Sequence, residues 1–109
     1  MRHDFDFIAN LKYFTTEEGG RVTPAKSGYR PQLHFAFESI ITSGQQIFLD
    51  REWVCPGENI NAEITMPSPQ FFENKLFEGL QFKFCEGAKI IGTGTILKIV
   101  NKKLIKANP

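Results

Sequence analysis

A two-residue alternation of apolar and polar side chains runs through most of the chain, and it confines the fold to strands. Ile60, Ala62, Ile64 and Met66 are separated by Asn61, Glu63 and Thr65. Successive side chains of a strand point to opposite faces, so this pattern buries one face and wets the other. Phe5, Phe7, Ala9 and Leu11 alternate with Asp6, Ile8 and Asn10, which predicts a strand over residues 5–14. Leu33, Phe35 and Phe37 alternate with His34, Ala36 and Glu38, predicting a second over 29–41. A short strand is expected at 45–49. Leu80, Phe82 and Phe84 mark another, and 89–100 a long one in which Gly92 and Gly94 suggest a bulge or barrel corner.

Turn signals separate these runs: Thr15-Thr16-Glu17-Glu18-Gly19-Gly20, Thr23-Pro24, Ser27-Gly28, Ser43-Gly44, Pro56-Gly57 and Glu86-Gly87. Pro67 and Pro69 stop the Ile60–Met66 run. Residues 70–78 fit no period and admit a helical turn. The lysine-containing tail, 101–109, reads as frayed. Many strands with regular turns make an all-β sandwich or barrel.

One domain fits in 109 residues. Eleven Phe against two Tyr and one Trp give rings that fill a core. The formal charge of +1 predicts no uniform capture of nucleic acid, leaving only a local basic patch. Two cysteines, Cys55 and Cys85, make no disulfide framework and have no metal-ligand spacing. No apolar run approaches the ~20 residues of a membrane span. Asp4 and Asp6 interrupt the N-terminal stretch, so no signal peptide is read there. The expected setting is cytoplasmic, without membrane contact.

Nothing in the sequence resembles an active site. Gly92-Thr93-Gly94 lacks the Lys-Ser/Thr of a phosphate loop, so neither nucleotide nor cofactor binding is expected. His3 and His34 stand apart, and no metal site is expected. Glu17-Glu18 reads as a solvated loop. The informative segments are Gly19-Gly20-Arg21, Gly28-Tyr29-Arg30-Pro31-Gln32 and Glu86-Gly87-Ala88-Lys89. Guanidinium and amide groups suit phosphate and ribose, and a tyrosine can stack. Equally, Arg30 and Glu86 suit structural bonds to backbone at barrel corners. The residues alone leave both readings open.

These segments resemble, in order, the third domain of elongation factor Tu. Glu18-Gly19-Gly20-Arg21, Thr23-Pro24 and Gly28-Tyr29-Arg30-Pro31-Gln32 are similar to its opening motifs. Pro56-Gly57-Glu58-Asn59-Ile60, Gly79-Leu80-Gln81-Phe82 and Glu86-Gly87-Ala88-Lys89 with Gly92-Thr93-Gly94 are similar to the rest. The resemblance runs from about Phe5 to Val100 and implies a six-stranded antiparallel β-barrel over residues 1–100, with 101–109 as a tail. It implies a module that contacts the tRNA T-stem without a GTPase domain, and so no enzyme. A chain that begins with Met and runs past the family's usual end suggests a stand-alone protein. The family's RNA-contacting amide, hydroxyl and carboxylate fall by motif on Gln32, Thr42 and Glu86, with Gly87 beside them; Thr42 is reached through a one-residue insertion. Arg21, Arg30 and Lys89 would be rim cations.

The chain also departs from the pattern. Gln81 and Cys85 stand where the family has arginines, Ala88 where it has a glycine, and Lys89 where it has an arginine. Lost arginines weaken phosphate attraction; Lys98, Lys102, Lys103 and Lys106 could restore some charge. Phe71, Phe72, Leu76 and Phe77 lie in a longer segment than the family's, as a capping plug or a new interface. The first expected function is therefore a translation-related RNA-binding module. The alternative is a protein-interaction module that mimics the domain and binds the factor's partners, or a toxin that targets the factor, through Phe71–Phe77.

Overall fold

The computed structural model describes residues 4–37 and 41–107. His3 and Glu38 therefore lie outside the described residues. Among the described residues nine strand segments form: β1 (Phe7–Tyr13), β2 (Ala25–Lys26), β3 (Gln32–Phe35), β4 (Thr42–Ser43), β5 (Gln45–Phe48), β6 (Trp53–Val54), β7 (Asn59–Thr65), β8 (Gln81–Glu86) and β9 (Lys89–Ile99). Six of them exceed two residues; seven segments join in the main sheet and two in a separate ribbon. No α-helix occurs among the described residues, only 3-10 turns at Pro69–Phe72 and Lys102–Leu104.

The main sheet runs β4-β3-β8-β9-β1-β7-β5, and every pairing in it is antiparallel. The sheet curls until its ends meet. Gly28 N donates to Gln46 O at 2.7 Å and Gln46 N to Tyr29 O at 2.8 Å, so the chain leading into β3 is tied to β5. β2 and β6 form a small ribbon at the side.

Alternation explains what the barrel encloses. Phe7, Ala9, Leu11 and Tyr13 of β1 and Ile60, Ala62 and Ile64 of β7 point inward and are buried. Phe82 and Phe84 of β8 do the same, and their rings lie across β9 at Gly94 and Gly92. A side chain at either glycine would collide with those rings, so these positions serve close approach. The register slips lie nearby, between Ile8 and Ala9 and between Phe84 and Cys85. They add twist where the long β9 bends.

Three expectations need correction. The strand expected over 29–41 is regular only across Gln32–Phe35, and Phe37 is 47% exposed, stacked on Phe35 at 5.7 Å rather than inside. Asp6, expected on the wet side, is buried; its carboxylate accepts from Met66 N at 2.7 Å and from Asn101 Nδ2 at 3.1 Å. The tail does not fray over 101–107. Leu104 is fully buried, and backbone bonds join the tail to the 70–78 segment: Leu76 N to Leu104 O at 2.8 Å, Lys106 N to Leu76 O at 2.7 Å. Each segment alone lacks a period; together they cap one end of the barrel.

Candidate nucleic-acid interface

The other end is polar. β8 and β9 form a hairpin whose register sets Glu86 opposite Lys89, with Gly87 and Ala88 at its tip. Gly87 has φ +58, a left-handed value that favours glycine. Beside it, β3 sets Gln32 opposite Cys85 on one side and opposite Ser43 on the other. Gln32, residues 42–43 and Glu86-Gly87 thus lie on three adjacent strands at one barrel end.

Register bears on the Thr42 position. Ser43, not Thr42, is directly across from Gln32, so these two share a face. Thr42 pairs with Leu33, and its hydroxyl donates to Ser43 O at 3.2 Å. The motif spacing left a one-residue slip here, and strand pairing shows only which residue lies across from Gln32.

Arg21 and Tyr29 converge on Glu86. The Arg21 Nη1 and the Tyr29 hydroxyl both donate to Glu86 Oε2. The guanidinium also lies over the Tyr29 ring, 4.8 Å from its centroid. Its other donors are spent on the loop: Nε to Thr23 O at 3.1 Å, Nη2 to Thr23 Oγ1 at 3.1 Å and to Pro24 O at 3.3 Å. The Arg21 side chain is only 19% exposed. It holds the loop and the carboxylate, and is not a free cation at the rim. Burial first, and then its bond to Glu86, raise the Tyr29 hydroxyl well above the ordinary tyrosine range. The sequence flagged Tyr29 as a stacking ring; its bond to Glu86, 57 residues away, had no local signal.

Loop bonds explain why Arg21 arrives where it does. Thr15 N donates to Glu18 Oε1 at 2.9 Å, Glu18 N to Thr15 Oγ1 at 3.0 Å and Gly20 N to Thr15 O at 2.8 Å. Gly20 sits so close to the Phe14 carbonyl that no side chain fits. The loop closes on itself and delivers Arg21 at a fixed point.

Beneath lies a second polar pair. The Tyr13 hydroxyl donates to Oε1 of the fully buried Gln46, whose Nε2 has no partner among the described residues. Burial pushes the Tyr13 hydroxyl up as well. Polar groups therefore continue from Glu86 inward into the barrel mouth.

Arg30, Gln32 and Lys89 are exposed, and none of the ion pairs among the described residues engages Arg30 or Lys89. On the outer face of β3, β8 and β9, a hollow of about 610 Å³ is lined by His34, Lys83, Cys85, Ile90 and Thr93 among others. Burial raises the Cys85 thiol above its ordinary value. No cluster of potential metal ligands occurs among the described residues, and no helix there is long and apolar enough to cross a membrane.

At the capped end, the four apolar candidates divide. Phe72 and Leu76 are fully buried and belong to the core, so they offer no surface. Phe72 packs on Phe35 at 5.4 Å. Phe71 and Phe77 are 53% and 44% exposed. Phe37, Phe77, Leu80, Lys75 and Lys106 line a second hollow of about 430 Å³.

The family model for the elongation factor Tu C-terminal domain matches residues 2–100 of the chain. The chain belongs to that family, and its curled antiparallel sheet is the β-barrel of a translation-factor domain.

Proposed function

We propose that this member of the elongation factor Tu C-terminal domain family is a non-enzymatic RNA-binding module of the translation machinery. Its polar end takes the shallow minor groove of an A-form stem, with the T-stem of tRNA as the substrate that the family suggests. The observation that carries this reading is the convergence of Gln32, Ser43, Thr42 and Glu86-Gly87 on adjacent strands. An amide, hydroxyls and a carboxylate match the 2′-hydroxyls and base edges that this groove displays. Arg30 and Lys89 supply the phosphate contacts at the edge; Arg21 works from behind.

With few free cations, affinity depends on salt with a shallow slope, set by the small number of phosphates neutralised. The test is an anisotropy titration with labelled tRNA at low and moderate salt, with a free T-stem hairpin as competitor. Saturable binding that the hairpin competes away supports the reading. No binding at low salt sinks it.

A second reading rests on exposed Phe37, Phe71 and Phe77 at the capped end. Apolar rings at a surface suit a protein partner of the translation apparatus. Binding of such a partner would weaken on Phe77→Ala and respond little to salt.

A further inference from the structure

We infer that Arg21 and Tyr29 are positioning residues that hold Glu86 so that its second oxygen, Oε1, is presented outward as a neutralised hydrogen-bond acceptor. The inference rests on the RNA reading above and deepens it. Three observations lead to it.

First, the two bonds fall on one atom. Arg21 and Tyr29 both donate to Oε2, and no described residue donates to Oε1. A carboxylate accepts at both oxygens, and the Glu86 side chain is 39% exposed, so half of its capacity is left for a ligand. Second, the two donors are themselves fixed. Arg21 is anchored to Thr23 and Pro24 and stacked on Tyr29. Tyr29 is tied through its backbone to Gln46, with N donating to Lys26 O at 3.1 Å and O accepting from Gln46 N at 2.8 Å. A glutamate at a hairpin tip would otherwise sample many rotamers, and a ligand would have to order it on binding. Third, charge is balanced. A bare carboxylate at an RNA surface repels the phosphates that flank the groove. The Arg21 guanidinium in direct contact cancels that charge within a distance shorter than the Debye length of ~8 Å at physiological salt. The arginine thus lets an acidic side chain read a polyanion. It does so without giving up its own loop bonds.

The arrangement separates two tasks. Arg30 and Lys89 attract the backbone; Glu86 Oε1 discriminates, because it accepts only from a donor such as a 2′-hydroxyl or a guanine amino group. A pairing edge without a donor at that point leaves the oxygen unmatched.

The experiment is a double-mutant cycle read by anisotropy with the T-stem RNA hairpin. Tyr29→Phe and Arg21→Lys are measured in the wild-type background and in Glu86→Ala. Each single change is expected to weaken binding about three- to tenfold, the range of one ordinary hydrogen bond, because it loosens Glu86 without removing its contact to the RNA. In the Glu86→Ala background the same changes are expected to have no further effect. Equal losses in both backgrounds would show a structural role, and no loss in wild type would show no role; either overturns the inference and leaves the RNA reading standing. Failure of the wild-type protein to bind the hairpin overturns both. A second measurement needs no RNA: tyrosinate absorbance against pH in wild type and Glu86→Gln. Removing the negative acceptor should let Tyr29 ionise at lower pH, and an unmoved titration overturns the contact itself.

Discussion

The two ends of the barrel are closed by opposite chemistry. At one end, Phe35, Phe72, Leu76 and Leu104 form an apolar plug. At the other, Arg21, Tyr29 and Glu86 bond across the mouth, above the Tyr13–Gln46 pair. The plug is built from segments that pair with each other, 70–78 and 101–107, and its energy comes from removing rings from water. The polar end gains less net stability from its bonds, because the Glu86 carboxylate stays in contact with water and trades it for its partners. What it gains is a fixed arrangement of donors and acceptors. One end therefore serves stability, the other is the end proposed above for recognition, and substitutions should separate the two.

The largest effect is expected at the plug. Phe72→Ala removes a fully buried ring that packs on Phe35, at a cost of about 3–5 kcal/mol. Leu104→Ala should cost about 2–5 kcal/mol, although Leu104 lies in the tail. Urea unfolding reads both. If Leu104→Ala left the midpoint unchanged, the tail would be an ornament and the comparison between the ends would fail. Asp6→Ala comes next, since it strands the Met66 amide and the Asn101 side chain that the carboxylate receives. A loss of about 1–3 kcal/mol is expected.

The polar end should behave in reverse. Glu86→Ala is expected to change stability by about 1 kcal/mol, because the carboxylate is the solvent-facing member of a pair whose arginine keeps its loop bonds. It should weaken hairpin binding by about tenfold or more, as loss of a hydrogen-bonding group at a site does. A variant that lost stability and kept binding would invert the assignment of the two ends.

Much of this was legible in the sequence, and the limits are instructive. The strands around Ile60–Met66 and Phe82–Phe84 were readable because alternation reports burial directly. Gly92 and Gly94 were readable as special positions, but not the reason, which is a pair of rings contributed by β8. Motif resemblance assigned Gln32 and Glu86 to one RNA-contacting surface, and strand pairing sets them on adjacent strands. The pairing of Ser43 with Gln32 was not readable because a one-residue slip in register flips the face, and no local pattern fixes register in a two-residue strand. The buried side of Asp6 was missed because its partners are Met66 and Asn101, far along the chain. The plug was hidden for the same reason. Neither 70–78 nor 101–107 has a period of its own, and each makes sense only against the other. Arg21 was read as a free cation because sequence shows charge and not its neighbours.

Alkaline pH offers the mildest test. Both tyrosines of the chain, Tyr13 and Tyr29, lie at the polar end. Burial raises both above the unfolded value of about 10. A raised tyrosine contributes stability that is fully present below that value and is lost as pH rises through the folded one. Above pH of about 10, each such group should reduce stability by up to about 1.4 kcal/mol per pH unit, with Tyr29, the more exposed, contributing less. The plug has no tyrosine, so alkali should open the polar end first. Hydrogen exchange should show lost protection at Tyr13, Tyr29 and Gln46 before Leu76 and Lys106. Tyr29→Phe should flatten the alkaline slope without moving the neutral-pH midpoint by much. Simultaneous opening of both ends would mean that the barrel transmits the strain as one unit, and the division of labour would then hold for binding alone.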